Sequence, residues 1–337
     1  ELYQGGSEEA ETKRFEELAR QMREVQVRLR GRRSVADRGL HAKMLAGTTR
    51  AVLKVEAPEL TGGYLRAGER HAVTVRFSSA SGLRRDDHAR DARGIALRVH
   101  APSGDHDLLL TNAEVSHVRD AEEFMRFVRA TSHGMLPGLV SMLARHPRRT
   151  LEIVRTLLRQ TADCRRSLAH ETFWSRAPFL LGNVPVRYQL VPRASGEPHA
   201  LSEGPDFLFF DLKRRLRVGP LRYDLLAQSY ASESATPIED ASVRWTTRPE
   251  RVAVLELEQQ ELPMPCTDPW RAIDALAFNP WHAPEDMRPL GSLNRARKLV
   301  YRASQRERDL PADAMGCPLH TLPALIGAGL RWLARLR

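Results

Sequence analysis

The segment SLNRARKLVYRASQRER, residues 292–308, is the stretch of sequence that decides the fold. Its residue pattern predicts a helix over Leu293–Arg308. Four of its side chains follow one another by four, three and four residues, so they share one helix face: Arg297, Tyr301, Ser304 and Arg308. The tyrosine therefore lies in a strip of positive charge, which favours its phenolate form over the phenol.

A phenolate in this setting is a candidate metal ligand. It is a hard anion suited to ferric iron, and tyrosine is one of the axial ligands of haem. The same spacing is compatible with an exposed basic helix whose tyrosine covers apolar surface, and alone it favours that simpler interpretation. The functional interpretation therefore depends on the rest of the chain.

Composition and charge describe a folded domain with a basic balance. The 337 residues are 42 % hydrophobic and 28 % charged, and 52 Lys+Arg against 42 Asp+Glu give a net charge of +10. The basic residues are spread along the chain without a nucleic-acid-binding motif, so we expect no nucleic-acid partner. A narrower interpretation is that some arginines face a buried dianion.

Three cysteines without a CxxC spacing argue against a disulfide framework or a structural zinc site. We therefore expect a reducing compartment and a cytoplasmic protein. Residues 1–7 (ELYQGGS) resemble the remnant of a cleaved tag, and residues 8–337 are predicted to form a single domain. No uncharged run reaches the ~20 apolar residues of a membrane-spanning helix.

Five strand-like stretches are separated by polar turns, which favours an antiparallel sheet or barrel. Most of them alternate apolar and polar residues with the period of a half-buried strand. They cover residues 49–56, 72–78, 94–99, 184–191 and 251–257.

Helical patterns flank these strands. We predict an N-terminal helix over residues 8–31 and a helical block over residues 121–159 that is broken by Pro137 and Pro147. The tail, residues 321–337, is amphipathic and basic, and it predicts a C-terminal helix. We expect it to dock on its own domain or on a partner subunit, with peripheral membrane contact as the alternative.

Short motifs accompany the tyrosine helix in a fixed order. They are Arg38–Lys43 (RGLHAK), Arg76–Ser78 (RFS), Asp91–Gly94 (DARG), Val118–Asp120 (VRD) followed by Phe124, and Ala277–Pro280 (AFNP). Together with the R-x-x-x-Y helix this ordered set resembles the haem catalase superfamily. The form FNPW…RPLGSLNRARKLVY is similar to its short, catalase-related subgroup, which includes allene oxide synthase-like enzymes.

The resemblance implies an α+β fold. We expect a catalase-like antiparallel β-barrel with flanking helices and with haem b, iron protoporphyrin IX, between the barrel and the proximal helix. Tyr301 would ligate the iron, and Arg297 would keep its phenolate deprotonated. Further residues implied to bind the cofactor are Arg38, Arg76 and Arg308 at the propionates, together with Ser304 and Phe124.

His41 and Ser78 are the expected distal residues in the same resemblance. His41 would act as base and then acid as the peroxide O–O bond breaks, since its ordinary pKa lies near neutrality. Ser78 would hold one imidazole nitrogen and so fix the tautomer.

The distal side also departs from the family pattern. A catalase asparagine is expected about eight residues before Arg119, and counting back reaches Thr111, with Asn112 next to it. Either residue is therefore a candidate catalytic group. His117 stands where the family has a phenylalanine, so it either adds a polar group to the distal pocket or faces a neighbouring loop.

These observations predict a haem enzyme of the catalase-related type. We expect a peroxidase or isomerase of organic or lipid hydroperoxides, with weak catalase activity as a lesser option. We also expect a homo-oligomer, such as a dimer. The alternatives are a haem-dependent biosynthetic tailoring enzyme acting on a non-peroxide substrate and a non-catalytic haem-binding protein.

Overall fold

The computed structural model describes residues 2–30, 38–56, 58–131 and 135–308. Its strands are β1 (Met44–Lys54), β2 (Arg70–Ser79), β3 (Arg93–Ala101), β4 (Gly104–Thr111), β5 (Phe173–Trp174), β6 (Phe179–Leu181), β7 (Val184–Pro192), β8 (Leu221–Ser229) and β9 (Pro249–Leu257). Its α-helices are α1 (Glu8–Arg30), α2 (Ala121–Thr131), α3 (Met135–Arg145), α4 (Pro147–Gln160), α5 (Phe207–Val218), α6 (Asp268–Ala275) and α7 (Ser292–Arg306).

The strands close into an antiparallel barrel. Hydrogen bonding runs in the order β5-β4-β3-β2-β1-β9-β8-β7-β6, and β5 pairs with β7 as well as with β4. The ring therefore contains eight strands, while β6 lies beside β5 along the same edge of β7. The predicted α+β fold, an antiparallel barrel with flanking helices, is confirmed.

Alternation along β2 and β3 divides their side chains between two environments. Val73, Val75 and Phe77 of β2 are fully buried in the barrel core, opposite a matching apolar row of β3. Because successive strand residues point to opposite faces, Arg76 and Ser78 lie on the outside of the barrel. This outer face carries the candidate site.

Two helices cover that outer face. α1 packs along α7 through Phe15, Leu18 and Met22, which share an apolar cluster with Ala296. The guanidinium of Arg295 on α7 adds a polar link, since it bonds the carboxylates of Glu11 and Glu239. α7 is therefore held against both α1 and the loop that follows β8.

The helical block after β4 consists of α2, α3 and α4. Pro147 begins α4, as predicted. The predicted break at Pro137 is wrong, because this proline lies in the first turn of α3, where its missing N–H has no intrahelical acceptor. None of the described helices is long and apolar enough to cross a membrane. The C-terminal helix predicted over 321–337 lies outside the described residues, and the single-domain assignment of 8–337 stays a prediction.

A buried ion cluster anchors the segment that enters β1. The ammonium of Lys43 lies 2.7 Å from a carboxylate oxygen of Asp87 and 2.6 Å from one of Asp206. All three side chains are buried. Asp87 also accepts the backbone N–H of Leu208 on α5. Lys43, two residues after His41, therefore ties that histidine's segment to α5.

Replacing Lys43 by Met should lower the free energy of unfolding by about 3–5 kcal/mol, since it leaves two buried carboxylates without their cation. Denaturant titration measures the loss. The matched control is Lys54→Met, which breaks the more exposed pair with Glu256 and should cost under about 1 kcal/mol. Equal small losses in both variants would contradict the anchoring role of Lys43.

The barrel interior also holds a neutral histidine. The Nδ1 atom of His106 lies 2.7 Å from the hydroxyl of Tyr64, and both side chains are buried. Burial lowers the pKa of His106 to about 4, although the carboxylates of Asp107 and Asp286 act in the opposite direction. The folded chain therefore keeps this imidazole uncharged at neutral pH.

Because the unfolded chain binds this proton more readily, the stability should decrease as the pH falls from about 6.5 to about 4. The contribution of His106 is at most about 1.4 kcal/mol per pH unit. Unfolding titrations across this range should give a smaller pH slope for His106→Gln than for the parent chain. The exposed His146→Gln serves as control. An unchanged slope in His106→Gln would refute the assignment.

Candidate functional site

A cavity lies between the outer face of the barrel and the helices α1 and α7. The space that a water-sized sphere can enter has a volume of about 120 Å³. Residues from three regions line it: Arg38, Leu40, His41, Arg76, Ser78, Gly94, Ile95, Ala96, Leu109, Leu110 and Thr111 from the barrel side, Met22 and Gln26 from α1, and Phe278, Arg297, Val300, Tyr301, Ser304, Gln305 and Arg308 from the far side.

His41 enters the cavity on a strained backbone. Its φ of 57° lies in the left-handed region, which non-glycine residues seldom adopt outside functional sites. Backbone bonds stabilise this conformation: its N–H donates to the carbonyl of Ala80 at 3.0 Å, and its carbonyl accepts from Arg76 at 3.1 Å. The imidazole Nδ1 lies 2.9 Å from the Ser78 hydroxyl, as expected from the sequence.

Gly94 makes room for the imidazole. It pairs with Ser78 across β2 and β3, so its missing side chain would point to the same outer face. A Cβ at this position would lie 2.6 Å from Cε1 of His41 and 3.3 Å from the Ser78 hydroxyl. The glycine of the DARG motif is therefore required for the close approach of His41 to the sheet.

The charge around His41 keeps it neutral. Burial lowers its pKa to about 3, and the guanidiniums of Arg76, Arg176, Arg297 and Arg38 contribute in the same direction. A neutral imidazole has one ring nitrogen with a free lone pair. If Nδ1 carries the proton toward Ser78, the lone pair is on Nε2.

Tyr301 reaches the same cavity from α7. The guanidinium of Arg297, one helical turn earlier, donates a hydrogen bond of 3.1 Å to its hydroxyl oxygen and lies 5.2 Å from the ring centroid. Arg297 also donates to Asn294, which fixes its orientation. A cation at this distance stabilises negative charge on the phenol oxygen.

Two guanidiniums that line the cavity, those of Arg76 and Arg38, lie near the carboxylate of Asp274. Arg76 donates two hydrogen bonds, of 3.1 and 2.8 Å, to one oxygen of Asp274. Arg38 donates to the carbonyls of Asp274 and Leu276. Burial lowers the pKa of Arg38 well below its ordinary value, and repulsion from Arg76 and Arg308 adds to this effect. This cluster favours an anionic group in the cavity.

The structure separates the two candidates at the end of β4. Thr111 lines the cavity, and its hydroxyl is buried without a hydrogen-bond partner among the described residues. Asn112 points away from the cavity, since its side chain accepts the N–H of Arg93 at 2.8 Å and bonds Glu171. Of the two, the structure brings only Thr111 to the cavity.

Phe124 is also not brought to the cavity. It lies on α2 and packs with the apolar clusters that join α2 to α1, α4 and α7. His117 is mostly buried and packs edge-on against Phe127, with ring centroids 4.9 Å apart. Neither of its ring nitrogens has a partner within the described residues, and burial lowers its pKa to about 3. Within the described chain, His117 does not line the cavity.

Arg176 is a residue that no motif indicated. Its φ is 61°, and its Nε atom is buried without a hydrogen-bond acceptor in the described part of the chain. Burial, with repulsion from Arg297, lowers its pKa to about 10. It adds positive potential at His41 and Arg297. A non-glycine residue between β5 and β6 with a left-handed backbone has no sequence signature.

The residues present fit a haem group. Apolar side chains line much of the cavity, a tyrosine oxygen is available from α7, and a cluster of guanidiniums faces it from Arg38, Arg76 and Arg308. The buried arginine cluster has one carboxylate beside it, that of Asp274. Its positive charge suits two further carboxylates, such as the propionates of haem.

Comparisons with known proteins agree with this geometry. The sequence profile of the Catalase family matches residues 20–135. A catalase-related peroxidase of Mycolicibacterium paratuberculosis is 28 % identical over 289 residues, which is 80 % of this chain and 88 % of that protein. The chain is therefore similar to the Catalase family, and over most of its length it is similar to a catalase-related peroxidase.

Solved catalases share the fold of this chain. Catalase A from Saccharomyces cerevisiae matches 82 % of the chain with a TM-score of 0.67 and 18 % identity. A fungal catalase matches 85 % with a TM-score of 0.66 and 20 % identity. The chain spans only 62 % of the length of each of these catalases.

Replacing Gly94 by Ala should displace the imidazole of His41 and lower the stability by about 1–3 kcal/mol, because the added methyl group overlaps the ring. Thermal unfolding measures the loss, and imidazole NMR signals report on the environment of His41. Gly219→Ala is the control, since nothing lies within 4 Å of its Cβ position. An undisturbed His41 signal in Gly94→Ala would be inconsistent with the packing described.

Proposed function

We propose that this chain is a haem-dependent enzyme that uses or transforms peroxides. One observation carries the proposal: His41, held by Ser78, and Tyr301, held by Arg297, line the same cavity. Storage of haem needs no acid–base residue, so the His41–Ser78 pair favours catalysis over non-catalytic haem binding. Similarity to the Catalase family and to a catalase-related peroxidase supports an oxidoreductase of the catalase or peroxidase kind.

Haem b would bind with Tyr301 as iron ligand and with Arg38, Arg76 and Arg308 at its propionates. When bound, it supplies the redox chemistry for cleavage of a peroxide O–O bond. Ser304 lines the same wall as Tyr301. The arginine cluster would orient the group by pairing its carboxylates.

His41 would move the proton. With Nδ1–H directed to the Ser78 hydroxyl, Nε2 can accept the proton from one peroxide oxygen and return it to the other as that oxygen leaves. The lowered pKa of His41 keeps the imidazole unprotonated at neutral pH, so that one ring nitrogen has a lone pair for the proton. Its strained backbone, held by Ala80 and Arg76, limits its movement during the transfer.

The substrate class that suits the cavity is an organic or lipid hydroperoxide. Ala96, Leu109 and Val300 give it apolar walls for an alkyl chain. Thr111 offers one hydroxyl donor where the family resemblance implies an amide, which has two. This change favours peroxidase or isomerase chemistry on larger hydroperoxides over efficient hydrogen peroxide dismutation.

Three further assignments stay predictions: a cytoplasmic location, a homo-oligomeric state, and the absence of a nucleic-acid partner. A haem-dependent tailoring reaction on a non-peroxide substrate is the alternative function that the assays below separate from peroxide chemistry.

The test begins with the ligand. Tyr301→Phe should lose haem or change its absorption spectrum, since the phenolate oxygen is removed. The control is Tyr230→Phe, at a half-buried tyrosine that packs beside Trp245, and it should leave haem content and spectrum unchanged. Haem content and spectrum report the result. An identical spectrum in Tyr301→Phe would refute the proximal assignment.

The second step is turnover. His41→Asn should keep haem but reduce turnover of an organic hydroperoxide by about 10²–10⁴-fold, the range for a general acid–base group. Oxygen release from hydrogen peroxide is measured in parallel. Vigorous oxygen release would reassign the enzyme to catalase activity, and a haem-loaded protein inert toward all peroxides would favour the tailoring alternative.

A further inference from the structure

The outer sides of α3 and α4 expose an unusual amount of apolar surface. On α3, Leu136, Val140 and Leu143 are 74, 60 and 48 % exposed, and on α4, Leu151 and Leu158 are 44 and 53 % exposed. Within each helix these positions are three, four or seven residues apart, so they form a stripe along one side. Isolated exposed leucines are common, but stripes of this kind mark binding surfaces.

The stripes lie apart from the sides that build the fold. Leu139 and Met142 of α3 and Ile153 and Leu157 of α4 pack in one cluster, which also contains Phe127 of α2. The two helices are therefore held by their inner sides. Their outer leucines and valine do not take part in the cluster, so the fold itself does not account for them.

The exposed apolar side chains are concentrated on α3 and α4. Among the described residues fourteen large apolar side chains are exposed, and five of them belong to α3 and α4, which have 11 and 14 residues. The other nine are distributed over the remaining described chain. Helices α3 and α4, which only His146 separates and which are called the α3–α4 hairpin below, therefore carry a large share of the exposed apolar side chains of the described chain.

Positive charge borders the exposed apolar side chains of the α3–α4 hairpin. Residues 135–160 contain five Arg and one Glu, a net charge of +4. Arg149 pairs with Glu123 and Glu152. Arg148, Arg155 and Arg159 are exposed and form no ion pair or side-chain hydrogen bond with any residue of the described ranges. Arg155 follows Leu151 by one turn, so a cation and a leucine share the outer side of α4.

We propose that the α3–α4 hairpin binds the surface of a bilayer that contains anionic phospholipids. The exposed leucines and valine would enter the boundary between headgroups and acyl chains, while the arginines contact lipid phosphates. Arginine suits this position because its stem can lie along apolar surface while its guanidinium stays at the headgroups. The helices lie on the membrane and do not cross it.

The charge pattern selects a bilayer over another copy of this chain. A second hairpin would bring a like net charge of +4 against the first, which opposes association. An anionic lipid surface instead satisfies the arginines and the apolar stripe together. The proposal requires neither bound haem nor turnover, so it stands or falls separately from the proposed function.

The experiment is co-sedimentation of the full chain with vesicles. The parent chain should bind phosphatidylglycerol vesicles, bind phosphatidylcholine vesicles much more weakly, and be released by salt. Leu136→Ser with Val140→Ser should weaken binding about tenfold or more, and Arg148→Gln with Arg155→Gln and Arg159→Gln should do the same.

Matched controls remove similar groups elsewhere. Leu201→Ser with Val218→Ser removes two side chains that are 59 and 83 % exposed, and Arg66→Gln with Arg70→Gln and Arg248→Gln removes three exposed cations. Both controls should bind like the parent chain. Thermal unfolding of every variant checks that these surface changes leave the fold intact.

Three results would overturn the proposal. The first is that the parent chain does not bind phosphatidylglycerol vesicles. The second is that the α3–α4 variants bind vesicles as the parent does, which would place the membrane contact on another segment. The third is that these variants convert an oligomer to a monomer without a change in vesicle binding, which would make this face a contact between copies.

Discussion

The register between β2 and β3 is the constraint on which the site depends. It sets Ser78 opposite Gly94, so that a hydroxyl and an absent side chain lie next to each other on the outer face of the barrel. The imidazole of His41 fits only there, against the glycine and within hydrogen-bond distance of the serine. A slip of β2 by one residue would turn Ser78 toward the barrel core and place Phe77 on the face of the cavity.

Charge is the second organising feature. Arg38, Arg76, Arg176 and Arg297 all act on His41 and help to keep it neutral. The same arginines favour the carboxylates of an anionic group bound in the cavity. One set of cations can thus keep a base unprotonated and hold an anionic cofactor, because both effects arise from the same positive potential.

Much of this arrangement could be predicted from the sequence where a residue type was tied to a local pattern. His41, Ser78 and Tyr301 belong to motifs whose order along the chain indicated the site, and most of the five predicted strands follow from their alternation. β5 and β6, with two and three residues, are too short to show alternation. The choice between Thr111 and Asn112 required the strand face, since neighbouring strand residues point in opposite directions.

Other residues could not be placed because their surroundings are set by distant packing. Phe124 follows the expected motif, yet its side chain joins α2 to its neighbouring helices. Arg176 has no motif, and only the folded chain shows a strained, buried guanidinium near Arg297. Sequence patterns identify chemistry and faces well, whereas the direction of a loop side chain depends on the complete fold.

The arginine cluster around Asp274 also bears on how the polypeptide matures. Repulsion between like charges in a low-dielectric interior opposes the last stage of folding. A bound anionic ligand reduces this repulsion. A ligand that binds the native chain and not the unfolded chain stabilises the fold more as its free concentration and its affinity increase. Supply of the prosthetic group would then set how long a newly made molecule survives proteolysis, linking cofactor biosynthesis to the abundance of the protein.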